Sequence, residues 1–424
     1  MNRILKKVKL GIKRFRQNSK IIYGLYKWLL NIKRSLTFGL ISKRNKLQQK
    51  FILFESFQGR LVACSPKAMY LAALEDEHFS DFTFIWAVRD LKKYAYLKKN
   101  RNTELVKYNT RAYLRVCATA KYWITNSTML AHITPKKEQV FVQTWHGTPL
   151  KRLGCDISAQ GNKAQKLSEI HQQYHSQGRK ITYFLSPSKF YTEKIGSAYD
   201  HTVEERAEKF IECGYPRNDF LFSFSDEDVN RVKEKLNIPG DKKVLLYAPT
   251  FRDNNFERGR GFHYDIGIDF DMLQKEFSDD YVILFRAHYF VIDKFELSKY
   301  QGFIYDVSRY DDINELYIIS DMLLTDYSSV FFDYANLNRP IMFFMYDYEL
   351  YKNEMRDFYL DMSELPGPIA YKNSELCDLI RKTERDFIYD EKYRAFNEKF
   401  NTFNDANSSK RAIEKCIKNI RSNV

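Results

Sequence analysis

Gln139-Val140-Phe141-Val142-Gln143-Thr144-Trp145-His146-Gly147-Thr148-Pro149-Leu150-Lys151 joins an apolar, β-branched run to a compact polar cluster. The first six residues have the composition of a strand, and Gly147 and Pro149 mark a tight turn just after it. A histidine, a threonine and a lysine therefore stand where a strand ends. In α/β proteins ligands sit at the carboxyl ends of strands. The stretch thus predicts a fold class and the edge of the sheet that carries the chemistry.

The same rhythm recurs on both sides of it. Phe51–Phe54, Phe82–Val88, Glu104–Lys107 and Lys121–Thr125 read as earlier strands, and Ile181–Leu185 as the next one. A second series follows at Val244–Tyr247, Tyr281–Phe285, Phe303–Tyr305, Met322–Leu324 and Ile341–Phe344. Helical segments separate most of them: one after Ser65-Pro66, then residues 163–176, 222–240, 313–319, 330–336 and a helical tail over 374–422. This alternation predicts parallel sheets with helices on both faces. A chain of 424 residues is too long for one compact core, so two domains are expected. The joint falls at Pro239-Gly240, beyond a turn cluster at Gly214-Tyr215-Pro216-Arg217-Asn218-Asp219. Residues 254–268, rich in glycine, asparagine and charge, predict a loop over a cleft.

The net charge of +14 is concentrated at one end. Residues 1–50 hold 15 Lys or Arg and no acid, which leaves 53 basic against 54 acidic residues in the remainder. A nearly neutral body argues against a general nucleic-acid protein, which needs a basic face on the fold itself. Within the arm, Ile4, Leu5, Val8, Ile12 and Phe15 form one helical stripe, and Ile22, Leu25, Tyr26, Leu29 and Ile32 a second, with Trp28 close by. A basic amphipathic helix with interfacial aromatics suits an anionic membrane surface. A solvated basic arm, a helix packed on the body and an RNA-binding arm are the other readings. No run reaches the ~18 apolar residues a spanning helix needs, and the arm has no signal-peptide cleavage pattern. The six cysteines are scattered without metal or redox spacing. His171 and His175 share a helical face, but no Glu lies between them in a zinc-protease pattern and no third ligand is evident, so no metal is expected.

The predicted strand ends of the two halves offer matching chemistry. The first half supplies His146, Thr148 and Lys151; the second supplies Thr250, Arg252, Arg286, His288, Asp326, Ser328 and Ser329. Two facing α/β domains bring these groups to one cleft. Thr325-Asp326-Tyr327-Ser328-Ser329 ahead of a helix is a phosphate-site candidate, since free N–H groups and hydroxyls favour an anion there. The same pattern serves an ordinary helix cap. Arg252, Arg286 and Lys151 are suitable phosphate partners, although each taken singly reads as a surface charge. Two histidines at strand ends suit a general base and an electrostatic stabiliser.

Trp145-His146-Gly147-Thr148-Pro149-Leu150-Lys151 resembles the signature of the CDP-glycerol glycerophosphotransferases of bacterial teichoic acid synthesis. Further matching segments follow the family's order: Ser65–Tyr70, Ser186–Lys189, Gly214–Asp219, Tyr247–Arg252, Arg286–His288, Asp321–Asp333 and Asp361–Pro368. The resemblance implies a GT-B-like fold of two Rossmann-like domains around an interdomain cleft, to which the sequence adds the basic amphipathic N-terminal arm. The expected division is an arm at 1–50, an acceptor-side domain at 51–235 and a donor-side domain at 236–424. The resemblance further implies transfer of glycerol phosphate from CDP-glycerol to a hydroxyl of an undecaprenyl-linked saccharide acceptor, with release of CMP; the sequence makes no firm prediction of a cofactor. In it His146 matches the proposed base, His288 a second histidine near the donor pyrophosphate, and Thr325, Asp326, Ser328 and Ser329 the segment that holds the donor. Arg286 is added here as an electrostatic clamp. The family acts at the cytoplasmic face of the membrane as a peripheral protein, in agreement with the arm. A CDP-ribitol transferase, a GT-B nucleotide-sugar glycosyltransferase and a non-catalytic membrane scaffold are the rival readings.

Overall fold

The computed structural model describes residues 20–158, 166–250, 256–257, 261–262, 267–287, 297–349 and 358–419. The first expected helical stripe of the arm, Arg252 and His288 lie outside the described residues.

The first half contributes seven strands: β1 (Gln48–Glu55), β2 (Thr83–Val88), β3 (Thr103–Lys107), β4 (Ala120–Thr125), β5 (Val140–Gln143), β6 (Tyr183–Ser186) and β7 (Phe210–Glu212). They form one parallel sheet in the order β3-β2-β1-β4-β5-β6-β7. The second half contributes β8 (Lys243–Ala248), a two-strand ribbon of β9 (Phe256–Glu257) and β10 (Gly261–Phe262), then β11 (Tyr281–Phe285), β12 (Ile304–Asp306), β13 (Met322–Thr325), β14 (Ile341–Phe344) and β15 (Ile369–Ala370). Its main sheet is also parallel, in the order β12-β11-β8-β13-β14-β15. This is the GT-B-like α/β arrangement of two Rossmann-like halves.

Parallel strands covered on both faces must be apolar throughout. Accordingly every residue of β5 and of β11 is buried. Alternate side chains part to opposite faces: Ile52 and Phe54 enter one core cluster and Leu53 the other, while Val244 and Leu246 separate from Leu245 and Tyr247. In each sheet the strand order reverses beside the half's first strand, between β1 and β4 and between β8 and β13. Such switch points leave a crevice at the carboxyl ends.

The expected divisions at 50 and 236 are crossed in three places. Helix α1 (Lys20–Arg44) is one continuous helix whose Phe38 and Ile41 are buried in the first core, so the arm's last turns belong to the body. Leu221 and Val232 pack in the second half's core, Val232 from the apolar face of the acidic helix Asp226–Leu236. The terminal helix Ser408–Ile413 and its continuation return to the first half, burying Ala412, Ile413, Cys416 and Ile417 against Met69 and Tyr70. Asp219 anchors that return by accepting from the backbone N–H groups of Ser408 (2.9 Å) and Ser409 (2.8 Å). A carboxylate at two free helix-start N–H groups is a favourable cap. Among the described residues no helix is long and apolar enough to cross a membrane.

Candidate active site

The loop after β5 is held in place before it reaches the cleft. Thr144 N–H donates to Thr125 O (2.8 Å) and extends the ladder by one rung. The Gln143 side chain then accepts from Trp145 N–H (2.9 Å). Trp145 takes a left-handed conformation, φ +53°. A bulky residue tolerates that only where its surroundings compel it. Burial of its indole in the first core and a stack on His146, with centroids 4.8 Å apart, supply the constraint.

This turn presents His146 beside the end of β4. Its Nδ1 lies 2.8 Å from Asn126 O. A carbonyl can only accept, so Nδ1 carries the proton and Nε2 keeps its lone pair. Asn126 is itself pinned, its Oδ1 accepting from Phe57 N–H (2.8 Å) at the end of β1. His146 is solvent-exposed, although protein crowds its ring where the two halves meet. Desolvation there, opposed by the Asn126 bond and assisted by the Arg217 charge, holds its pKa below the usual imidazole value. These are the properties of a neutral general base.

The second half meets this loop directly. A Cβ on Gly147 would stand 2.6 Å from Ser329 Oγ, so any larger residue makes Ser329 turn its hydroxyl or shift. Thr148 is buried, and Leu150 inserts into the second core. Leu150 O accepts from Tyr359 N–H (2.8 Å), and Lys151 forms an isolated bridge with Phe358. Phe358 in turn stacks on Tyr327. Residues 146–151, 326–329 and 358–359 thus form one continuous wall.

At the switch point of the second sheet, Thr325 Oγ1 donates to Ala248 O (2.8 Å) and Asp326 Oδ1 accepts from Thr250 N–H (2.8 Å). These two bonds tie the β8 and β13 ends together. Ser328 and Ser329 are half-buried, and Ser329 precedes the short helix Val330–Tyr334 without a side-chain capping bond. The structure therefore brings His146 and Thr148 together with Thr250, Thr325, Asp326, Ser328 and Ser329. Arg286 is placed differently from the expected clamp: its Nη1 donates to Val307 O (3.1 Å) and Tyr310 O (3.0 Å), bracing the chain after β12. His171 and His175 have ordinary partners, Ile157 O at 3.2 Å and Asp200 at 3.0 Å. Among the described residues no group of three or more His, Cys, Asp or Glu could hold a metal ion.

Behind the site lies an ion pair that residue patterns did not single out. Arg217 Nη2 donates to both oxygens of Asp333, at 2.8 and 2.9 Å, and Asn218 Nδ2 donates to Asp333 Oδ1 (2.9 Å). Burial alone would lower the Arg217 pKa; the Asp333 carboxylate reverses that and raises it well above the usual value. Both residues fall inside segments matched by order, Gly214–Asp219 and Asp321–Asp333, but neither looks like more than a turn or a helix residue. Farther out, Lys67 pairs with Asp312 (2.8 Å) and Lys93 with Asp311 (2.7 Å) across the same seam.

Comparison with known proteins adds to this geometry. The family model described as CDP-Glycerol:Poly(glycerophosphate) glycerophosphotransferase matches residues 37–418. A teichoic acid poly(glycerol phosphate) polymerase of Bacillus spizizenii is 35% identical over 94% of this chain and 99% of its own length. A polymerase of the same description from Bacillus subtilis is 33% identical over 98% of this chain; the chain spans 53% of that longer protein. The solved structure of the wall teichoic acid polymerase TagF superposes with a TM-score of 0.80 at 34% identity, covering 96% of this chain and 98% of that one.

Proposed function

The chain belongs to the CDP-glycerol:poly(glycerophosphate) glycerophosphotransferase family, a family of transferases acting in teichoic acid synthesis, and from that premise we propose its donor, acceptor and mechanism. The donor is CDP-glycerol, the acceptor a hydroxyl on a polyprenyl-linked saccharide or on the growing polymer, and the leaving group CMP. The reading draws support from TagF, a variant of which has been solved after soaking with CDPG.

The observation that carries the mechanism is the tautomer of His146. With Nδ1–H fixed on Asn126 O, the Nε2 lone pair is available to the acceptor O–H. As that proton moves to Nε2, the acceptor oxygen bonds to the β-phosphorus of the donor. The bond from that phosphorus to the bridging oxygen breaks, and the electron pair leaves with CMP. General base catalysis of this kind contributes about 10²–10⁴ in rate. Ser328 and Ser329 line the donor side, where their hydroxyls and backbone donors stabilise the transferring phosphoryl oxygens, and Thr325, Asp326 and Thr250 hold the strand ends behind them. His288 and Arg252 add to that side by the resemblance. Lys151 supplies a further cation.

The protein works as a peripheral protein at the cytoplasmic face of the membrane. Along α1, Trp28, Ile32, Leu36 and Leu40 recur every fourth residue and are exposed, with Leu29 beside them. That stripe is separate from Phe38 and Ile41, which face the core. With the Lys and Arg content of residues 1–50 it forms a surface suited to anionic lipid.

The test is CMP release by the purified chain from CDP-glycerol in the presence of a lipid-linked disaccharide acceptor, with mass spectrometry of the product. Addition of glycerol phosphate units is expected. Turnover of CDP-ribitol or of a nucleotide sugar in place of CDP-glycerol would overturn the donor assignment.

A further inference from the structure

An open surface pocket of about 410 Å³ lies away from the His146 cleft, between α1 and the loop that follows β4. Ser35, Gly39, Ser42 and Lys43 line it from the helix; His132 and Lys136 line it from the loop. No carboxylate is among its lining residues. Burial, with smaller contributions from the Arg34 and Lys180 charges, keeps the His132 imidazole below the usual value, and both of those charges are cationic. The cavity is therefore electropositive without an internal counter-ion, and Ser35 and Ser42 add hydroxyl donors.

Its walls are held by specific bonds. Lys136 Nζ donates to Asn45 O (2.6 Å), which ties the loop to the end of the helix. Lys180 Nζ donates to Ala131 O (2.8 Å) and Ile133 O (3.0 Å), fixing the other side of the loop. Phe38 and Ile41 clamp the helix to the body. Gly39 has open space where a side chain would be, with no atom within 4 Å of an added Cβ. Gly39 is exposed, so the missing side chain leaves the pocket open to solvent and to a head group. Leu36 and Leu40 flank Gly39 on the same helix, and Leu36 is 65% exposed.

We infer that this cavity binds the phosphate head group of an anionic lipid, one molecule per chain, with the acyl chain lying along the Leu36–Leu40 stripe. Phosphate chemistry follows from Lys43, Lys136 and the two serines. A lipid rather than a free phosphate follows from the apolar stripe beside the opening. The site is distinct from the transfer reaction. It rests in part on the membrane-facing reading of α1, but it demands a stoichiometric pocket where surface docking demands only net charge.

The test is calorimetric titration of the full chain with dihexanoyl-phosphatidylglycerol below its micelle concentration, beside dihexanoyl-phosphatidylcholine and inorganic phosphate. Saturable one-to-one binding of the anionic lipid is expected, with much weaker binding of the other two. Gly39→Leu fills the cavity, leaves the charge unchanged and favours the helix; it should weaken binding at least roughly tenfold. Lys43→Gln should weaken it roughly fivefold, the loss of one near-surface cation. Thermal unfolding of both variants checks that they fold. Parent-like binding by Gly39→Leu would overturn the inference, as would inorganic phosphate binding as tightly as the lipid. The titration needs no turnover, so a failed CMP-release assay leaves its result standing, and the reverse holds too.

Discussion

Gly147 and Ser329 meet across the cleft so closely that a Cβ on Gly147 would fall 2.6 Å from Ser329 Oγ. Gly147 is not needed here for a left-handed φ; its small size is what counts. Gly147→Ala crowds Ser329, which must turn its hydroxyl or push the His146 loop from the Ser328–Ser329 segment, at about 1–3 kcal/mol of overpacking. Activity should fall roughly a hundredfold, as a displacement near 1 Å at a reacting group allows. The stability loss should be relieved in the double variant Gly147→Ala/Ser329→Ala, which removes the clashing oxygen. Thermal unfolding of the three variants checks this; an unchanged melting point for Gly147→Ala would contradict the contact.

Desolvation of His146 sets the pH profile. The folded pKa lies below the usual imidazole value, so the neutral base persists to lower pH than it would in water. The acidic limb of kcat/KM should therefore lie below about 6.5. His146→Ala should lose about 10²–10⁴ in kcat and flatten that limb. A limb at or above the ordinary value, or a limb retained in His146→Ala, would assign the base elsewhere.

The sheets and the histidine turn were legible in the sequence because parallel strands buried on both faces leave unbroken apolar runs, as at 281–285. The short strands β7 and β15 were not, since three residues such as Phe210-Ile211-Glu212 carry no periodicity. The return of the terminal helix was equally hidden. It depends on Asp219 meeting Ser408 and Ser409 across 189 and 190 residues of chain, and spacing encodes nothing at that range. The bracing contacts of Arg286 were hidden for a related reason. A cation at a strand end looks the same whether it faces a ligand or, as here, the carbonyls of Val307 and Tyr310. Asn126 escaped notice because its contact with His146 is made by a backbone carbonyl, which every residue type has.

The Arg217–Asp333 pair joins the halves behind the site and is nearly inaccessible to water, with side-chain exposures of 5% and 8%. Removing one member leaves the other buried and uncompensated. Asp333→Ala should therefore destabilise the chain by about 3–5 kcal/mol. Arg217→Met alone should be similarly harmful, while the double variant Arg217→Met/Asp333→Leu should recover much of the loss. Denaturant unfolding of the full cycle measures the coupling. Additive single and double effects would show that the pair is not the junction it resembles.

Glu55 ends β1 in a fully buried position, where its Oε2 accepts from Tyr113 O–H (2.7 Å) and its Oε1 has no partner. Burial raises its pKa from 4.5 to about 7, against the Tyr113 bond and the Arg89 charge. Between those values the folded chain holds a proton that the unfolded chain has released. Stability therefore falls as pH rises across that window, and the loss is complete above about pH 7. A shift of this size corresponds to about 3 kcal/mol. Glu55→Gln keeps an acceptor for Tyr113 and cannot ionise. It should be more stable than the parent by up to about 3 kcal/mol at about pH 8, and by under about 1 kcal/mol at about pH 5. Denaturant unfolding of both proteins across that range is the measurement. A difference that does not change with pH would show that Glu55 stays charged in the folded chain, and that its unpaired oxygen is satisfied by water.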